Sequence, residues 1–356
     1  MAGSRRNSTS KPRVRQSDVA RDAGVSQATV SLVLSNSPGL TLTPETRQAV
    51  LDSAARLAYT PDPVARRLAL GRNDLLGLHS FAPKFPISLR DSYYPYLEGV
   101  EQEAATQGFD LVLFTGVEAK QSREISTSRL RLADGSVLVG RNPAEADLRA
   151  LIDSGYPLVY IGRHEEIEGL SYVGADYASA TQELVLRLHA AGHRTILHLQ
   201  GVDTATASVD RERGFAAAIA QLRDATGIAT RVEGASITND DLQNWISDVG
   251  VTAIVLEGGA ESSDAVDSVL EAVTELGISV PGDLSIATTG LDYVPAPRGM
   301  VFSGFQVPRQ EMGRNAVRLL VRLLRAEDPP PEERRQLLEC APIVGNTIGP
   351  VRERTR

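Results

Sequence analysis

The stretch "DVARDAGVSQATVSLVL", Asp18 to Leu34, sets two short helical patterns end to end with a single glycine between them. Ser17 stands at the N-cap position of the first, Asp18 puts an acid in its first turn, and Val19, Ala20 and Ala23 give it an apolar face. Gly24 can take the positive φ that closes such a helix. Val25 points inward and Ser26 is a second N-cap, opening "QATVSLVLS" with Val30, Val33 and Leu34 on one face. A small residue where two helices touch, a glycine where the turn bends and an apolar anchor on the second helix are what a helix-turn-helix requires. Ala20, Gly24 and Val30 fill those three places. An ordinary helical hairpin is the plainer reading of the same spacing.

A third amphipathic segment follows. Thr43 is its N-cap, Pro44 its first residue and Glu45 its first-turn acid, while Val50, Ala54 and Leu57 share one face and can cover the open side of the hairpin. The charge divides at the same place. Residues 1–72 carry 11 Lys+Arg against 5 Asp+Glu, whereas the remaining residues carry 26 against 40, so a basic head precedes an acidic body in a chain of net charge −8. That asymmetry points the head toward a polyanion. One cysteine, Cys340, excludes an intrachain disulfide and fits a reducing cytoplasm. The first 12 residues are polar and read as a disordered arm rather than a secretory signal, and no apolar run is long enough for a membrane span.

"PDPVARRLALG", residues 61–71, is a short capped helical pattern: Pro61 halts what precedes it, Asp62 and Pro63 are N-cap and N1, and Gly71 ends it. At about eight residues it is too short to be stable alone. Arg66 and Arg67 beside Leu68 suit a minor groove, where arginine reads the narrow groove and an apolar wedge unstacks a base step. The same residues would also serve as a linker helix with solvated arginines.

Together these segments, "DVARDAGVSQATVSLVL" and "TPETRQAVLDSAARLAYTPDPVARRLALGR", resemble the lac repressor family of bacterial transcription regulators. The resemblance extends through "LRLHAAGHRTILHLQG", "RERGFAAAI", "GISVPGDLSIATTGLD" and "VPRQEMGRNAVRLL", over residues 13 to 345. It implies a homodimer, or a tetramer, that binds double-stranded operator DNA under control of a small-molecule effector such as a sugar or sugar derivative. It assigns base-reading positions to Gln27, Ala28 and Leu32, places Thr29 and Ser31 near phosphates, and puts Ala65 and Leu68 in the minor groove with Leu68 as the wedge; Ser26 at the helix start and Arg66 of the hinge join them as expected DNA-binding residues. Three departures stand out. Leu32 occupies a position where the family usually has arginine, which predicts a changed half-site with apolar contact to a thymine methyl. Asp62 replaces the usual asparagine before the hinge, and "NSPGLTLTPET" lengthens a loop.

From residue 72 onward short apolar runs alternate with amphipathic helices. "LLGLHSF", "FDLVLFTG", "GSVLVG", "PLVYIGR", "TILHLQG", "VTAIVLEG" and "LSIATTG" read as strands, separated by helices such as "YPYLEGVEQEAATQG", "ASATQELVLRLHAAG" and "SDAVDSVLEAVTELG". Such alternation means parallel sheets with helices on both faces, and ligands bind such sheets at the carboxyl ends of the strands. The expected fold is therefore a small all-α helix-turn-helix head and an α/β body. The resemblance makes that body two doubly wound parallel-sheet subdomains, periplasmic binding protein-like type I. The expected division is an arm at 1–12, a DNA-binding domain at 13–60, a hinge helix at 61–72 and an effector-binding and dimerisation domain at 73–356. Within the last, one subdomain takes about 73–174 plus 306–335 and the other about 175–305 plus 336–350.

Residues just after strands are the candidates for the cleft between two such sheets: Phe81, Tyr93, Arg163, Asp176, Arg211 and Asp292. Arg211 and Asp292 match family positions that hydrogen-bond a polar ligand, and a guanidinium fork or a carboxylate binds vicinal hydroxyls well. Surface ion pairing accounts equally for the charged ones, and core packing for Phe81 and Tyr93. Gly162 stands where the family often has aspartate, and "EGGAESSD" is longer than the usual turn.

His189 and His193 are four apart in "HAAGH" but lack the glutamate of a zinc helix, and Gly192 between them breaks the shared face, so no metal and no cofactor is expected. No G-x-S-x-G, Walker A or G-x-G-x-x-G occurs, which leaves an enzyme without a catalytic constellation. The expectation is a cytoplasmic, non-enzymatic, DNA-binding regulator, most simply a dimeric repressor, with no membrane partner. A solute-binding protein or a ligand-responsive activator of the same architecture are the alternatives.

Overall fold

The computed structural model describes residues 14–35, 42–60, 73–80, 93–115, 127–140, 144–202, 204–233, 237–257, 263–290, 297 and 299–351. Ala65, Arg66, Leu68, Phe81 and Asp292 lie outside the described residues. The chain divides into two compact units, Met1–Asn73 and Asp74–Arg356.

In the first unit, α1 (Gln16–Asp22), α2 (Gln27–Ser35) and α3 (Pro44–Arg56) close on a core of Val19, Ala20, Val30, Val33, Val50 and Ala54. Helix α1 starts two residues before the position expected from a Ser17 cap. Its N-cap is Arg15, and the Asp18 carboxylate reaches back to accept the Arg15 N–H at 2.9 Å. An acid three residues into a helix can satisfy the flanking amide as well as a serine before it can. The Ala23 N–H closes on Val19 O and the Val25 N–H on Ala20 O at 3.0 Å, a turn that sets Gly24 at φ 67°. Ser26 Oγ accepts the Thr29 N–H at 3.1 Å, and Thr43 Oγ1 accepts the Thr46 N–H at 3.3 Å, so both helices begin on hydroxyl caps. The Asp22 carboxylate receives the Ser53 hydroxyl at 2.6 Å and Arg56 Nη2 at 2.5 Å, which ties the end of α1 to α3 and holds Asp22 below the usual carboxylate range.

The second unit contains two six-stranded sheets. The first is β1 (Leu75–Ser80), β2 (Asp110–Thr115), β3 (Gly135–Val139), β4 (Leu158–Ile161), β5 (Ser171–Ala175) and β11 (Arg335–Leu338), in the order β11-β5-β4-β3-β1-β2. The second is β6 (Thr195–Gly201), β7 (Thr226–Val232), β8 (Ala253–Glu257), β9 (Ser285–Thr289), β10 (Ser303–Gln306) and β12 (Ala341–Ile343), in the order β12-β10-β9-β8-β6-β7. Every pairing is parallel except that of β10 with β12. Both sheets repeat one winding, with the strand order reversing beside β1 and beside β6, and a crevice opens at such a reversal.

The helices of this unit, α4 (Tyr94–Gln107), α5 (Thr127–Leu130), α6 (Glu145–Asp153), α7 (Tyr177–Ala190), α8 (Thr206–Gln221), α9 (Asn239–Ser247), α10 (Ser263–Glu275), α11 (Arg309–Leu324) and α12 (Pro331–Arg334), mostly connect the strands. The chain passes from the first sheet to the second after β5, returns after β10, and crosses again between Leu338 and Ala341. One continuous cluster of buried side chains joins Leu76, Val137 and Val173 of the first sheet to Ile196, Val255 and Ala287 of the second. The last crossing leads into Gly345-Asn346-Thr347, which lock the second sheet. Thr347 Oγ1 accepts the Ser303 N–H at 2.8 Å, and the Asn346 side chain accepts from Val301 N and donates to Gly299 O. Among the described residues no helix is long and apolar enough to cross a membrane.

Candidate functional site

In the head, α2 separates its faces as its spacing predicts. Val30 and Val33 are buried, Ser26, Gln27 and Ala28 are exposed, and Thr29, Ser31 and Leu32 are half-buried. Gln27 Nε2 donates to Gln16 Oε1 at 3.4 Å, so the exposed start of α2 is tied to the start of α1. The result is a rigid helix pair that presents amide, hydroxyl and methyl groups on one exposed face, the groups that read base edges and phosphates.

In the body, charged and aromatic side chains gather at the carboxyl ends of the strands. Helix α8 supplies two of them side by side. Asp210 receives a bidentate fork from Arg163, Nε at 2.7 Å and Nη2 at 2.6 Å. Arg163 follows β4 in the first sheet and Asp210 lies on a helix of the second, so this pair bridges the sheets with only 11% and 3% of its side chains exposed. Arg211, the next residue, points to Glu257 at the end of β8, Nη1 to Oε1 at 3.0 Å, and is 3% exposed. The Ser208 hydroxyl donates to the same Oε1. The Tyr177 ring lies 4.1 Å under the Arg211 guanidinium carbon, a cation–π contact. Arg309, at the start of α11, donates to Gly290 O at 3.1 Å just after β9.

Of the other expected cleft residues, Asp176 and Tyr93 are among the described residues. The Asp176 carboxylate caps α7, accepting the Ser179 N–H at 3.0 Å. Tyr93 is half-buried, its ring 6.1 Å from that of Tyr96. Burial pushes the Tyr96 hydroxyl well above its ordinary range, helped by neighbouring Tyr177, so it stays a hydrogen-bonding phenol at any working pH. Reading the sequence identified Arg163, Asp176 and Arg211 as residues following strands, but not their partners. Asp210, Glu257, Ser208, Tyr177 and Arg309 went unread. A carboxylate closing the apolar run "AIVL" was the available signal for Glu257.

Two histidines set aside as a metal pair have separate tasks: His189 Nε2 meets Asp224 at 2.8 Å, while buried His193 joins Thr252 Oγ1 and Gly349 O. His198, on β6, is wholly buried with its ring 5.0 Å from that of Phe215. Burial, with Arg211 and Arg231 nearby, pushes its pKa down to about 3. The folded protein therefore keeps His198 neutral where an unfolded chain would protonate it. The stability this confers is complete above about 6.5 and is lost as the pH falls toward about 3. Lowering the pH from 7 to 5 is expected to cost wild type about 2 kcal/mol more than His198→Leu. Urea unfolding of both proteins at the two pH values checks this, and parallel pH dependences would refute it.

A helix-turn-helix head followed by a body of two parallel-wound sheets is the architecture of a DNA-binding regulator. Comparison with known proteins bears this out. Residues 17–62 match the family of bacterial regulatory proteins, lacI family. Residues 87–240 match the periplasmic binding proteins and sugar binding domain of the LacI family, and residues 185–348 the periplasmic binding protein-like domain. The ribose operon repressor of Bacillus subtilis is 29% identical over 318 residues, 87% of this chain and 91% of the relative. Catabolite control protein A of Priestia megaterium is 26% identical over 330 residues, 87% and 92% of the two chains. Among solved structures, the lac repressor dimer bound to operator and the anti-inducer ONPF superposes with a TM-score of 0.71 at 22% identity, covering 95% of this chain and 99% of that one. A complex of the transcriptional regulator CelR with cellobiose gives 0.63 at 24%, covering 94% and 100%. The chain belongs to the lacI family of bacterial regulatory proteins; it is a DNA-binding transcriptional regulator and not an enzyme.

Proposed function

We propose that the protein is a cytoplasmic repressor that binds a pseudopalindromic operator as a homodimer and releases or engages it according to a small polar ligand, sugar-like in chemistry, held at the strand ends of the body. In this reading residues 13–60 read the half-site, 61–72 form the hinge, and 73–356 bind effector and partner. The observation that carries it is the Arg163–Asp210 pair joining the two sheets beside Arg211 and Tyr177, in a chain whose head exposes Gln27 and Ala28 on α2. A ligand that favours one separation of the sheets over another shifts the DNA-binding equilibrium by that difference in affinity. The relatives support the ligand class: one is named a ribose operon repressor and another is seen with cellobiose.

The test is selection of preferred duplexes from a random DNA pool by the purified full chain at physiological salt. Recovery of a palindrome supports the reading, and recovery of no preferred sequence, with and without a panel of sugars, overturns it. Leu32 offers a sharper form of the same experiment. Half-buried on α2, it brings only methyl groups to the groove. Leu32→Arg is expected to select guanine at one half-site position where wild type does not, by about tenfold or more, the worth of one bidentate contact. Identical selected sequences from both proteins would remove Leu32 from the readout.

A further inference from the structure

At the carboxyl end of the second sheet, buried polar atoms stand without a hydrogen-bond partner among the described residues. Gln200 is 1% exposed, and neither its Nε2 nor its Oε1 has a partner among the described residues. Glu257 Oε2 and Arg211 Nε are likewise buried and unpartnered, although the other ends of these two groups meet each other. The three residues form one site. In the parallel register of β6 and β8, Leu199 lies opposite Leu256, so Gln200 and Glu257 come next, side by side and on one face. Arg211 lies one turn before Phe215 on α8, and Phe215 covers His198, the residue two before Gln200 on that face. Unsatisfied polar atoms are costly inside a protein, and here two of the residues stand at the carboxyl ends of neighbouring strands, where such sheets bind ligands, with the third on the adjacent helix α8.

We propose that Gln200, Glu257 and Arg211 are the specificity-determining floor of the effector site, and that it selects an uncharged polyhydroxyl ligand and rejects anionic ones such as sugar phosphates and sugar acids. This rests on the reading of the body as an effector-binding unit. The chemistry follows from the vacant valences. Glu257 Oε2 can only accept and Arg211 Nε can only donate, while the Gln200 amide does both. A hydroxyl donates to the first and accepts from the second at once, and a neighbouring hydroxyl serves Gln200. A phosphate or carboxylate offers Glu257 no proton and brings a second negative charge against a buried carboxylate. Arginine charge does not compensate. The Arg163 fork is taken up by Asp210, and Arg211 is already paired with Glu257.

The experiment uses the full chain. Thermal unfolding without ligand is measured for wild type, Gln200→Met and Gln200→Leu. Binding is measured by calorimetry for three pairs: ribose and ribose 5-phosphate, glucose and glucose 6-phosphate, cellobiose and cellobionate. Removing an unsatisfied amide should raise the ligand-free midpoint by several degrees in at least one of the two apolar variants. For any pair that binds, the neutral member should bind wild type at least tenfold more tightly than its anion, and Glu257→Gln should erase that gap. Midpoints lowered in both Gln200 variants, or an anion bound as tightly as its neutral parent, would overturn the proposal. Should none of the six compounds bind, the Gln200 midpoints alone decide it. The duplex selection separates the two levels: a recovered palindrome with lowered midpoints retires this floor and keeps the regulator, whereas no palindrome retires the regulator.

Discussion

Truncating Glu257 to alanine is expected to destabilise the body by about 3–5 kcal/mol, the cost of leaving a buried guanidinium without its counter-charge. Arg211 and Glu257 are 3% and 2% exposed at the side chain, so neither charge has water to fall back on. Forming such a pair gives far less than breaking it costs, because desolvation of both charges offsets most of their attraction. The double variant Arg211→Met with Glu257→Leu should therefore recover most of the loss in stability while abolishing any response to ligand. Urea unfolding of the single and double variants measures both effects. A Glu257→Ala protein within about 1 kcal/mol of wild type would show that water reaches the pair and that the crevice floor is not dry.

Gly214→Ala should be nearly as damaging, for a steric reason. Helices α7 and α8 touch so closely at Gly214 that an added Cβ would lie 2.1 Å from Ala178 O. A backbone carbonyl inside a helix cannot rotate aside, so the helices must separate. Overpacking of this kind costs roughly 3 kcal/mol or more, and alanine's better helix propensity returns only about 1 kcal/mol. The net loss of about 2–3 kcal/mol corresponds to a fall in melting temperature of about 3–5 °C for a body of this size. The same displacement would carry Asp210 and Arg211 away from Arg163, Tyr177 and Glu257, so ligand response should weaken even at temperatures where the variant stays folded. An unchanged melting temperature would mean that α7 and α8 can slide without cost.

What the sequence determined by itself is what depends on near neighbours along the chain. The turn at Gly24 needs only the spacing of Ala20, Gly24 and Val30, with Ser26 opening the next helix, and it forms as read. The parallel sheets were legible because runs such as Val137–Val139 and Ala253–Leu256 are buried on both faces and so are continuously apolar. Where that condition fails, so does the reading. The edge strand β7, "TGIATRV", is nowhere fully buried and shows no apolar run, and β10 is four residues long, so neither was identified. A helix start was misplaced by two residues because Ser17 and Asp18 are both competent caps and only the backbone selects between them.

The tertiary structure alone decided which charges meet. Arg163 and Arg211 could be placed after strands from the sequence, but Asp210 lies 47 residues from Arg163, and Glu257 lies 46 residues from Arg211. Asp210 and Arg211 are adjacent in sequence yet face partners in different sheets, one after β4 and one at the end of β8. No local pattern encodes that divergence. It arises because two separately wound sheets bring their carboxyl ends together at α8, where burial turns ordinary surface residue types into paired charges and leaves Gln200 without a partner among the described residues.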